Sequence, residues 1–281
     1  MTRTLLSLGH GYTAQALTRR LIPQGWQVIG TTRHETAVTA LQGPQVRMQL
    51  WPGTNLTDAV ARASHILISI APGAQGDPVL AAHADLFRKA RPEWVGYLST
   101  TVVYGDHQGG WVSEDTPLTP GNARGQQRVL AETQWRATGL PIHIFRLAGI
   151  YGPGRGPFEK VRDGTARRVI KAGQVFSRTH VDDTAQVLQA SMNAPNPGAA
   201  YNVCDDDPAP PQDVIAYAAD LLGLPIPPTV PIEQANLTAM GASFYAESKR
   251  VRNDRIKADL GVRLLYPTYR EGLQALLSVE T

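Results

Sequence analysis

The chain has 281 residues, of which 42% are hydrophobic and 18% charged, and its formal net charge is +3. These proportions are typical of a globular protein with a large core, and they exclude a long disordered tract. The small charge, without a run of five or more Lys or Arg residues, does not favour nucleic-acid binding, and a single cysteine excludes an internal disulfide.

The first half of the chain alternates short β-rich runs with longer helical patterns. Strands are predicted over residues 4–8, 27–31, 46–50, 65–70, 94–99 and 142–147. Helices are predicted between them over residues 12–23, 34–42, 55–63, 78–90 and 123–138. This alternation is typical of a parallel sheet with crossover helices. The sequence therefore predicts an α/β fold, a Rossmann doubly wound parallel sheet, with the nearly continuous apolar run at 65–70 as a central strand.

The amino-acid composition of the chain changes after Leu147. Residues 151–157 are too rich in Gly and Pro for a regular element, so a domain boundary is predicted there. We predict a Rossmann domain over residues 1–150 and a smaller C-terminal substrate lobe, mainly over 151–281, with 180–203 returning to the Rossmann domain. The later predicted elements are helices at 181–193, 211–222, 253–260 and 268–278, a strand at 200–203 and a Pro-rich connection from Pro225 to Pro231.

Targeting and metal signals are not found in the sequence. The chain enters an apolar strand at Thr4, which leaves no room for a signal peptide, and no apolar run is long enough to span a membrane. The single cysteine, Cys204, has no CxxC or Cys/His pattern typical of zinc. We expect a cytoplasmic protein with no metal site.

The turn after the first predicted strand reads Gly9-His10-Gly11-Tyr12-Thr13-Ala14. In a Rossmann fold, Gly9 would start the turn, Gly11 would let the backbone approach a pyrophosphate and Ala14 would keep the helix close to the sheet. The N–H groups at the helix start favour an anion. The turn predicts an NAD(P) site formed by Gly9, Gly11, Tyr12 and Thr13, with Ala71 after the fourth strand; the alternative is an empty tight turn.

The end of the second strand bears on the choice of cofactor. An NAD site commonly has an acidic residue about 20 residues after the glycines, where it binds the ribose 2′-hydroxyl. Here the sequence reads Gly30-Thr31-Thr32-Arg33-His34-Glu35. Arg33 could bind a 2′-phosphate, assisted by Thr31 and Thr32, so NADP is favoured over NAD. The alternative is that Arg33 is a solvated loop residue and Glu35 reaches the ribose.

Three further motifs follow this turn in order. They are Ser99-Thr100-Thr101-Val102-Val103-Tyr104-Gly105, the segment from Arg146 to Gly154 that ends in Tyr-Gly-Pro-Gly, and His180-Val181-Asp182-Asp183. Together the motifs resemble the extended short-chain dehydrogenase/reductase family, which contains nucleotide-sugar epimerases and dehydratases. The resemblance spans nearly the whole chain.

The resemblance implies roles for several polar residues. It implies that Thr100 hydrogen-bonds the substrate carbonyl or hydroxyl; the alternative is a hydroxyl that only satisfies the backbone at a strand end. It also implies that His180, Asp182 and Asp183 form a structural joint rather than a metal site, with Asp182 or Asp183 capping a helix. Asp205-Asp206-Asp207 is interpreted as a solvated turn.

The sequence departs from the family at the catalytic pair. The family has Tyr-x-x-x-Lys at the start of the helix after strand five, where this chain has Arg124 and Arg128. A guanidinium stays charged and has no acceptor, so Arg124 cannot replace the tyrosine as a base. Arg128 could still bind the nicotinamide ribose. Tyr104, His107 and Tyr151 are candidate substitute bases.

Two functions stay open on these grounds. The first is an NADP-dependent oxidoreductase or epimerase-like enzyme that lacks the usual pair, in which Thr100, Tyr104, Arg124 and Arg128 are the candidate catalytic residues. The second is a protein that senses NADP(H) without turnover. Because Arg124 and Arg128 lie four residues apart on one helix, we expect them to hold an anionic small-molecule ligand; the alternative is two solvated arginines at the start of a helix.

A homodimer is also predicted. It would pair the helices near 78–90 and 123–138 through apolar residues, namely Val79, Leu86, Phe87, Val129 and Leu130. The alternative is that these residues pack inward onto the sheet.

Overall fold

The structure is a computed structural model that describes residues 3–280. The strands are β1 (Thr4–Leu8), β2 (Gln27–Thr32), β3 (Val46–Leu50), β4 (His65–Ile68), β5 (Trp94–Thr100), β6 (Trp111–Val112), β7 (Ile142–Leu147), β8 (Gly149–Tyr151), β9 (Arg168–Ile170), β10 (Arg178–His180), β11 (Ala200–Val203), β12 (Thr229–Pro231) and β13 (Arg250–Val251). The α-helices are α1 (Tyr12–Leu21), α2 (Glu35–Leu41), α3 (Thr57–Arg62), α4 (Pro78–Lys89), α5 (Ala123–Arg136), α6 (Phe158–Arg162), α7 (Val181–Asn193), α8 (Pro211–Leu221), α9 (Ala239–Tyr245), α10 (Asp254–Leu260) and α11 (Tyr269–Glu280). Short 3₁₀ helices cover Ile22–Gln24, Thr101–Tyr104 and Ile232–Gln234.

A seven-stranded sheet in the order β3-β2-β1-β4-β5-β7-β11 forms the centre of the molecule. All neighbouring strands are parallel. The strand order reverses direction between β1 and β4, and ligands of such sheets bind outside the carboxyl ends of the strands at this point. The predicted Rossmann sheet is confirmed. The strand β11 from the C-terminal half extends the same sheet beside β7.

Both faces of the sheet are covered by helices. On one face Leu5 of β1 packs with Leu17 of α1 and Leu188 of α7. On the other face Leu6 of β1 packs with Trp135 of α5. A strand that buries both faces has apolar residues at successive positions, which is why the central strands read as continuous apolar runs.

The predicted dimer surface is wrong in two of its residues. Val79 and Phe87 are fully buried in the core between α4, α5 and the sheet, because this face of both helices covers the strands. Leu86 is partly buried against the same core and Val129 against a neighbouring cluster. Leu130, which is 39% exposed, remains an exposed apolar residue of α5.

The C-terminal half builds a second, smaller core beside the sheet. Tyr151 packs there with Phe158 of α6, Ala218 of α8 and Leu273 of α11. Two short parallel pairs, β8 with β10 and β9 with β12, lie in the same half of the chain. These strands of three residues each were not predicted, because runs so short carry no periodicity.

The His180-Val181-Asp182-Asp183 segment is a structural joint. His180 caps α7, since its Nδ1 accepts a hydrogen bond from the Asp182 N–H at 3.2 Å. The predicted aspartate cap is therefore wrong. The Asp183 carboxylate instead accepts from the N–H groups of Leu265 and Tyr266 at 2.6 and 3.0 Å. The segment therefore ties α7 to the loop before α11.

The interpretation of the aspartate triplet as a solvated turn is wrong for its first residue. Asp205 is 2% exposed, and burial raises the pKa of its carboxyl well above the usual range. Asp206 and Asp207 form ion pairs with Lys257 and Arg270.

Across residues 3–280, none of the helices combines the length and the apolar character needed to cross a bilayer.

Candidate functional site

A cleft of about 720 Å³ lies at the carboxyl ends of the central strands. It runs from the turn between β1 and α1, past the end of β5 and the start of α5, to the segment that contains α9. The sequence-predicted residues that line it are Gly11, Tyr12, Thr13, Thr100, Arg124, Arg128 and Tyr151. The cleft thus brings the predicted phosphate turn and the two arginines of α5 into one continuous space.

The phosphate turn has the geometry that a close backbone approach requires. Gly9 has φ +85°, and a Cβ there would lie 2.9 Å from the Ile70 side chain, so only glycine fits. A Cβ on Gly11 would meet no atom within 4 Å. Since Gly11 is the N-cap and provides no side-chain cap, the first N–H groups of α1 are left for a ligand.

Hydrogen bonds from neighbouring strands hold this turn. The Thr31 hydroxyl accepts from the Gly9 N–H at 2.8 Å, and the Ser69 hydroxyl donates to the Gly9 carbonyl. Thr31 is 1% exposed, so its expected role as a donor to a 2′-phosphate is wrong. It supports the turn from inside.

Tyr12 forms the wall of the cleft at the start of α1. Its hydroxyl donates to the Pro153 carbonyl at 3.0 Å, and the Arg155 guanidinium lies 5.8 Å from its ring centre. Tyr12 therefore connects the phosphate turn to the Tyr-Gly-Pro-Gly segment.

Thr100 ends β5 and faces the cleft. Its hydroxyl also accepts from the Val102 N–H, at a long distance of 3.4 Å, and so caps the following 3₁₀ helix. The capping bond uses a lone pair and leaves the hydroxyl proton for another partner. The structural and substrate-binding roles of Thr100 are therefore compatible.

Arg124 and Arg128 both project into the cleft from the first turns of α5. The side chain of Asn122 caps this helix by accepting from the Gly125 N–H at 2.9 Å. Arg128 donates to the Leu98 carbonyl at 2.8 Å and is thereby fixed on the end of β5. Burial and the neighbouring Arg128 charge lower the pKa of the Arg124 guanidinium.

The structure places Tyr104 away from the cleft. Its side chain is fully buried, its hydroxyl donates to Asn202 at 2.7 Å and accepts from Arg146 at 3.0 Å, and burial raises its pKa to about 12. A phenol enclosed by partners in this way cannot reach a ligand. Tyr104 is therefore a structural residue here, and its expected role as a substitute base is not supported.

The other two candidate bases are no better placed. A ring nitrogen of His107 lies 3.1 Å from the Tyr104 carbonyl, and the side chain does not line the cleft. Tyr151 lines the cleft, but its hydroxyl oxygen is buried, and burial together with nearby carboxylates raises its pKa.

Three other residues predicted to bind the cofactor, Thr32, Arg33 and Ala71, lie outside the lining of the main cleft. Arg33 is exposed in the turn after β2, and the Thr32 hydroxyl accepts from the His34 N–H at 3.3 Å. Ala71 is exposed three residues after β4. None of the three is among the residues that line the 720 Å³ cleft.

Charged residues that the sequence patterns did not single out also line the cleft. Lys249 donates to the Gly105 carbonyl at 2.6 Å and to Glu247 at 2.7 Å, and Glu247 also accepts from Asn122 at 2.9 Å. This chain of bonds ties the segment after α9 to the start of α5. Arg178 also lines the cleft and donates to the carbonyls of Phe176 and Ala209 at 2.8 and 3.0 Å.

Three aromatic residues form the wall next to Arg124. Phe176 contacts Phe244 and Tyr245 edge to face, with ring centres 6.5 and 5.5 Å apart. The Arg124 guanidinium lies 5.8 Å from the centre of the Phe244 ring. The Phe-Tyr pair at 244–245 was the available sequence signal, but no local pattern shows that Phe244 lies next to Arg124 of α5.

Comparisons with known proteins agree with this architecture. The NAD dependent epimerase/dehydratase family matches residues 8–204. Protein YeeZ of Escherichia coli (strain K12) is 30% identical over 279 residues, covering 92% of this chain and 95% of that protein. A reductase from Streptomyces sp, described as a 3-diazoavenalumate denitrifying reductase, is 34% identical over 142 residues, covering 46% of this chain and 45% of that protein.

Solved structures share the fold over the whole chain. A functionally unknown conserved protein from Silicibacter pomeroyi DSS has 61% identity, with a TM-score of 0.94 and full coverage of both chains. Human epimerase family protein SDR39U1 with NADPH has 18% identity and a TM-score of 0.72, covering 99% of each chain. Because the family model matches residues 8–204, which is most of the chain, the chain belongs to the NAD dependent epimerase/dehydratase family.

Proposed function

We propose that this protein is a cytoplasmic NADP(H)-dependent oxidoreductase that acts on a small anionic substrate and lacks the tyrosine and lysine of its family. The observation that carries the proposal is the continuous cleft from the open Gly11 turn to Thr100 and Arg124. Solved structures of the same fold are described in complex with NAD or NADPH, which supports a nicotinamide dinucleotide as the cofactor.

The residues around the turn fit a dinucleotide. The uncapped start of α1 would bind the pyrophosphate, and Arg128, held on the Leu98 carbonyl, would reach the nicotinamide ribose. Arg33, exposed after β2, would bind a 2′-phosphate, which favours NADP over NAD. A bound nicotinamide supplies or accepts the hydride in such sites.

The side chains on the substrate side can orient and stabilise charge. The Thr100 hydroxyl would hold the carbonyl or hydroxyl of the substrate at the end of β5. The Arg124 guanidinium would bind an anionic group or stabilise a developing oxyanion by charge-assisted hydrogen bonds. Because a guanidinium remains protonated, Arg124 does not act as a base.

The replacement of the family's tyrosine by Arg124 also favours a second candidate, a sensor that binds NADP(H) without turnover. The two are separated by following the loss of NADPH absorbance with a panel of carbonyl and unsaturated carboxylic acids. The oxidoreductase predicts substrate-dependent oxidation that Arg124→Ala reduces at least 10-fold, with NADPH affinity nearly unchanged. Tight NADPH binding without oxidation above background by any acid would favour the sensor.

A further inference from the structure

The unassigned part of the cleft is the wall formed by Phe176, Phe244 and Tyr245 next to Arg124. Phe244 is 44% exposed and lines the cleft. Among the described residues, it is the one exposed large hydrophobic residue that does so. The other exposed large hydrophobic residues, such as Trp111 and Ile226, lie outside it. An exposed aromatic ring inside a cleft is typical of a surface that a ligand covers.

The wall is fixed by its own contacts. The side chain of Thr238 caps α9 by accepting from the Gly241 N–H at 3.1 Å. Tyr245, at the end of the helix, contacts Phe176 edge to face at an interplanar angle of 71°. Arg178 binds the Phe176 carbonyl from behind. The aromatic surface is therefore held in place before a ligand arrives.

The charge of the cleft is strongly positive. Its charged lining consists of one acidic residue, Glu247, and five basic residues, namely Arg124, Arg128, Arg155, Arg178 and Lys249. Lys249 neutralises Glu247 through an ion pair of 2.7 Å. An anionic ligand therefore complements this cleft, whereas a cationic one is repelled.

The basic side chains differ in how far protein partners already satisfy them. Arg128 and Arg178 donate to backbone carbonyls, and Arg155 lies against the Tyr12 ring near the phosphate turn. The Arg124 guanidinium makes no hydrogen bond to another residue within 3–280; its contact is with the face of Phe244. Its donors are available for a ligand that also lies on the aromatic wall.

We infer that the substrate is an aromatic carboxylic acid, with its ring on the wall of Phe176, Phe244 and Tyr245 and its carboxylate on Arg124. This inference rests on the proposed function and names its substrate class. Stacked or edge-to-face rings prefer centre distances of about 4.5–7 Å. Since Arg124 lies 5.8 Å from the centre of the Phe244 ring, a carboxylate attached directly to the ligand ring or through a short chain reaches both groups.

The chemistry of the site agrees with this class. A planar ring gains contact with all three aromatic side chains, and its apolar body also faces Ile150, which lines the same cleft. Burial and the neighbouring Arg128 charge lower the pKa of Arg124 in the free protein, and a bound carboxylate compensates the charge of the guanidinium. The planar guanidinium of an arginine also binds a planar carboxylate through two parallel hydrogen bonds, a geometry that a lysine ammonium does not offer.

The test is calorimetry with matched probes on the full chain, with and without saturating NADPH. 3-Phenylpropanoate is compared with 3-cyclohexylpropanoate, which keeps the charge but lacks the aromatic ring, and with 3-phenylpropanamide, which keeps the ring but lacks the charge. We expect 3-phenylpropanoate to bind about 2- to 10-fold more tightly than the cyclohexyl acid and at least 10-fold more tightly than the amide.

Two variants assign these preferences to the wall. Phe244→Leu should remove the preference for the aromatic ring, and Arg124→Gln should remove the preference for the acid over the amide. The controls are Trp111→Leu and Arg252→Gln, because Arg252 lies 4.9 Å from the centre of the exposed Trp111 ring in a similar pair outside the cleft. Neither control should change the affinity of any probe.

Three results would overturn the inference. These are binding of the cyclohexyl acid as tight as that of 3-phenylpropanoate, preferences that survive both cleft variants, and tighter binding of UDP-glucose than of the aromatic acid. NADPH affinity is measured separately in the same proteins, and a lack of NADPH binding would contradict the proposed function. The probe series without cofactor would still decide the substrate class.

Discussion

At the scale of single residues, the candidate site combines predictable and unpredictable features. The Gly9 and Gly11 positions could be predicted because a phosphate turn constrains backbone conformation at fixed spacing, and the structure gives Gly9 φ +85° and leaves the space beside Gly11 open. The roles of Thr31 and Tyr104 could not be predicted. Thr31 lies near the end of β2 and Tyr104 ends a 3₁₀ helix, and only the tertiary structure shows that both are buried.

Arg33 carries the predicted preference for NADP. Because it is exposed after β2, its removal should leave the fold intact while the 2′-phosphate loses charge-assisted hydrogen bonds. We expect Arg33→Ala to weaken NADP binding by about 10- to 100-fold and to leave NAD binding unchanged. Calorimetric titration of both cofactors measures this, with Arg62→Ala on α3 as the control. Equal affinities of the wild type for NADP and NAD would contradict the role of Arg33.

At the scale of secondary-structure elements, a buried ion pair joins α5 to the sheet. Glu132 and Arg146 are 3% and 5% exposed; their side chains lie 2.9 Å apart, and Ser99 of β5 also donates to Glu132 at 2.5 Å. These bonds fix the second half of α5, the helix that also carries Arg124 and Arg128, relative to β5 and β7. Glu132 thus holds on the sheet the helix whose first turns line the cleft.

Breaking this pair should destabilise the fold. Glu132→Ala leaves the Arg146 charge buried without its partner, at a cost of about 3–5 kcal/mol in the free energy of unfolding. Replacing both residues by Met should recover part of this loss, since no unpaired charge remains. Urea denaturation measures both effects, and Thr133→Ala on the exposed face of α5 is the control. A loss below 1 kcal/mol for Glu132→Ala would show that the pair does not hold the helix.

The elements also show where prediction from sequence ends. The strands and helices of the sheet could be predicted because each is long enough to show a periodic or continuous apolar pattern. The helix α9 and the pairs β8/β10 and β9/β12 are seven residues or shorter, and their positions depend on contacts with distant parts of the chain. The aromatic wall could therefore not be predicted: the sequence contains its three residues but does not show that they lie together.

At the scale of the whole molecule, buried histidines make stability depend on pH. Burial lowers the pKa of His65 from 6.5 to about 4, and its ring packs edge to face on Trp26 at 4.7 Å. Since the unfolded chain then binds a proton more readily than the folded one, stability is present above pH 6.5 and is lost as the pH falls towards 4. Burial has the same effect on His10.

The contribution of His65 can be isolated by substitution. Between pH 6.5 and 4 the wild type should lose about 3 kcal/mol more stability than His65→Gln, because the neutral amide does not titrate. Buried carboxyls with raised pKa values, such as that of Asp183, act in the opposite direction but are common to both proteins. Urea unfolding across this pH range gives the difference. Parallel pH profiles would contradict the assignment.

Dimerisation through α4 and α5 stays a prediction. With Val79 and Phe87 inside the core, the apolar surface available to a partner centres on Leu130. Light scattering at micromolar concentration should give the mass of a dimer, and Leu130→Glu should reduce it to that of a monomer of 30.4 kDa. A wild-type monomer under these conditions would rule out this interface.

The central claim is that the Gly11 turn binds NADP(H), and calorimetric titration of NADPH into three proteins tests it most directly. They are the wild type, Gly11→Val and Gly43→Val, because the Cβ position is open at both glycines and only Gly11 lines the cleft. All three should unfold at similar temperatures. The account predicts that the wild type and Gly43→Val bind NADPH equally and that Gly11→Val does not bind it. Unchanged affinity in Gly11→Val would contradict the claim.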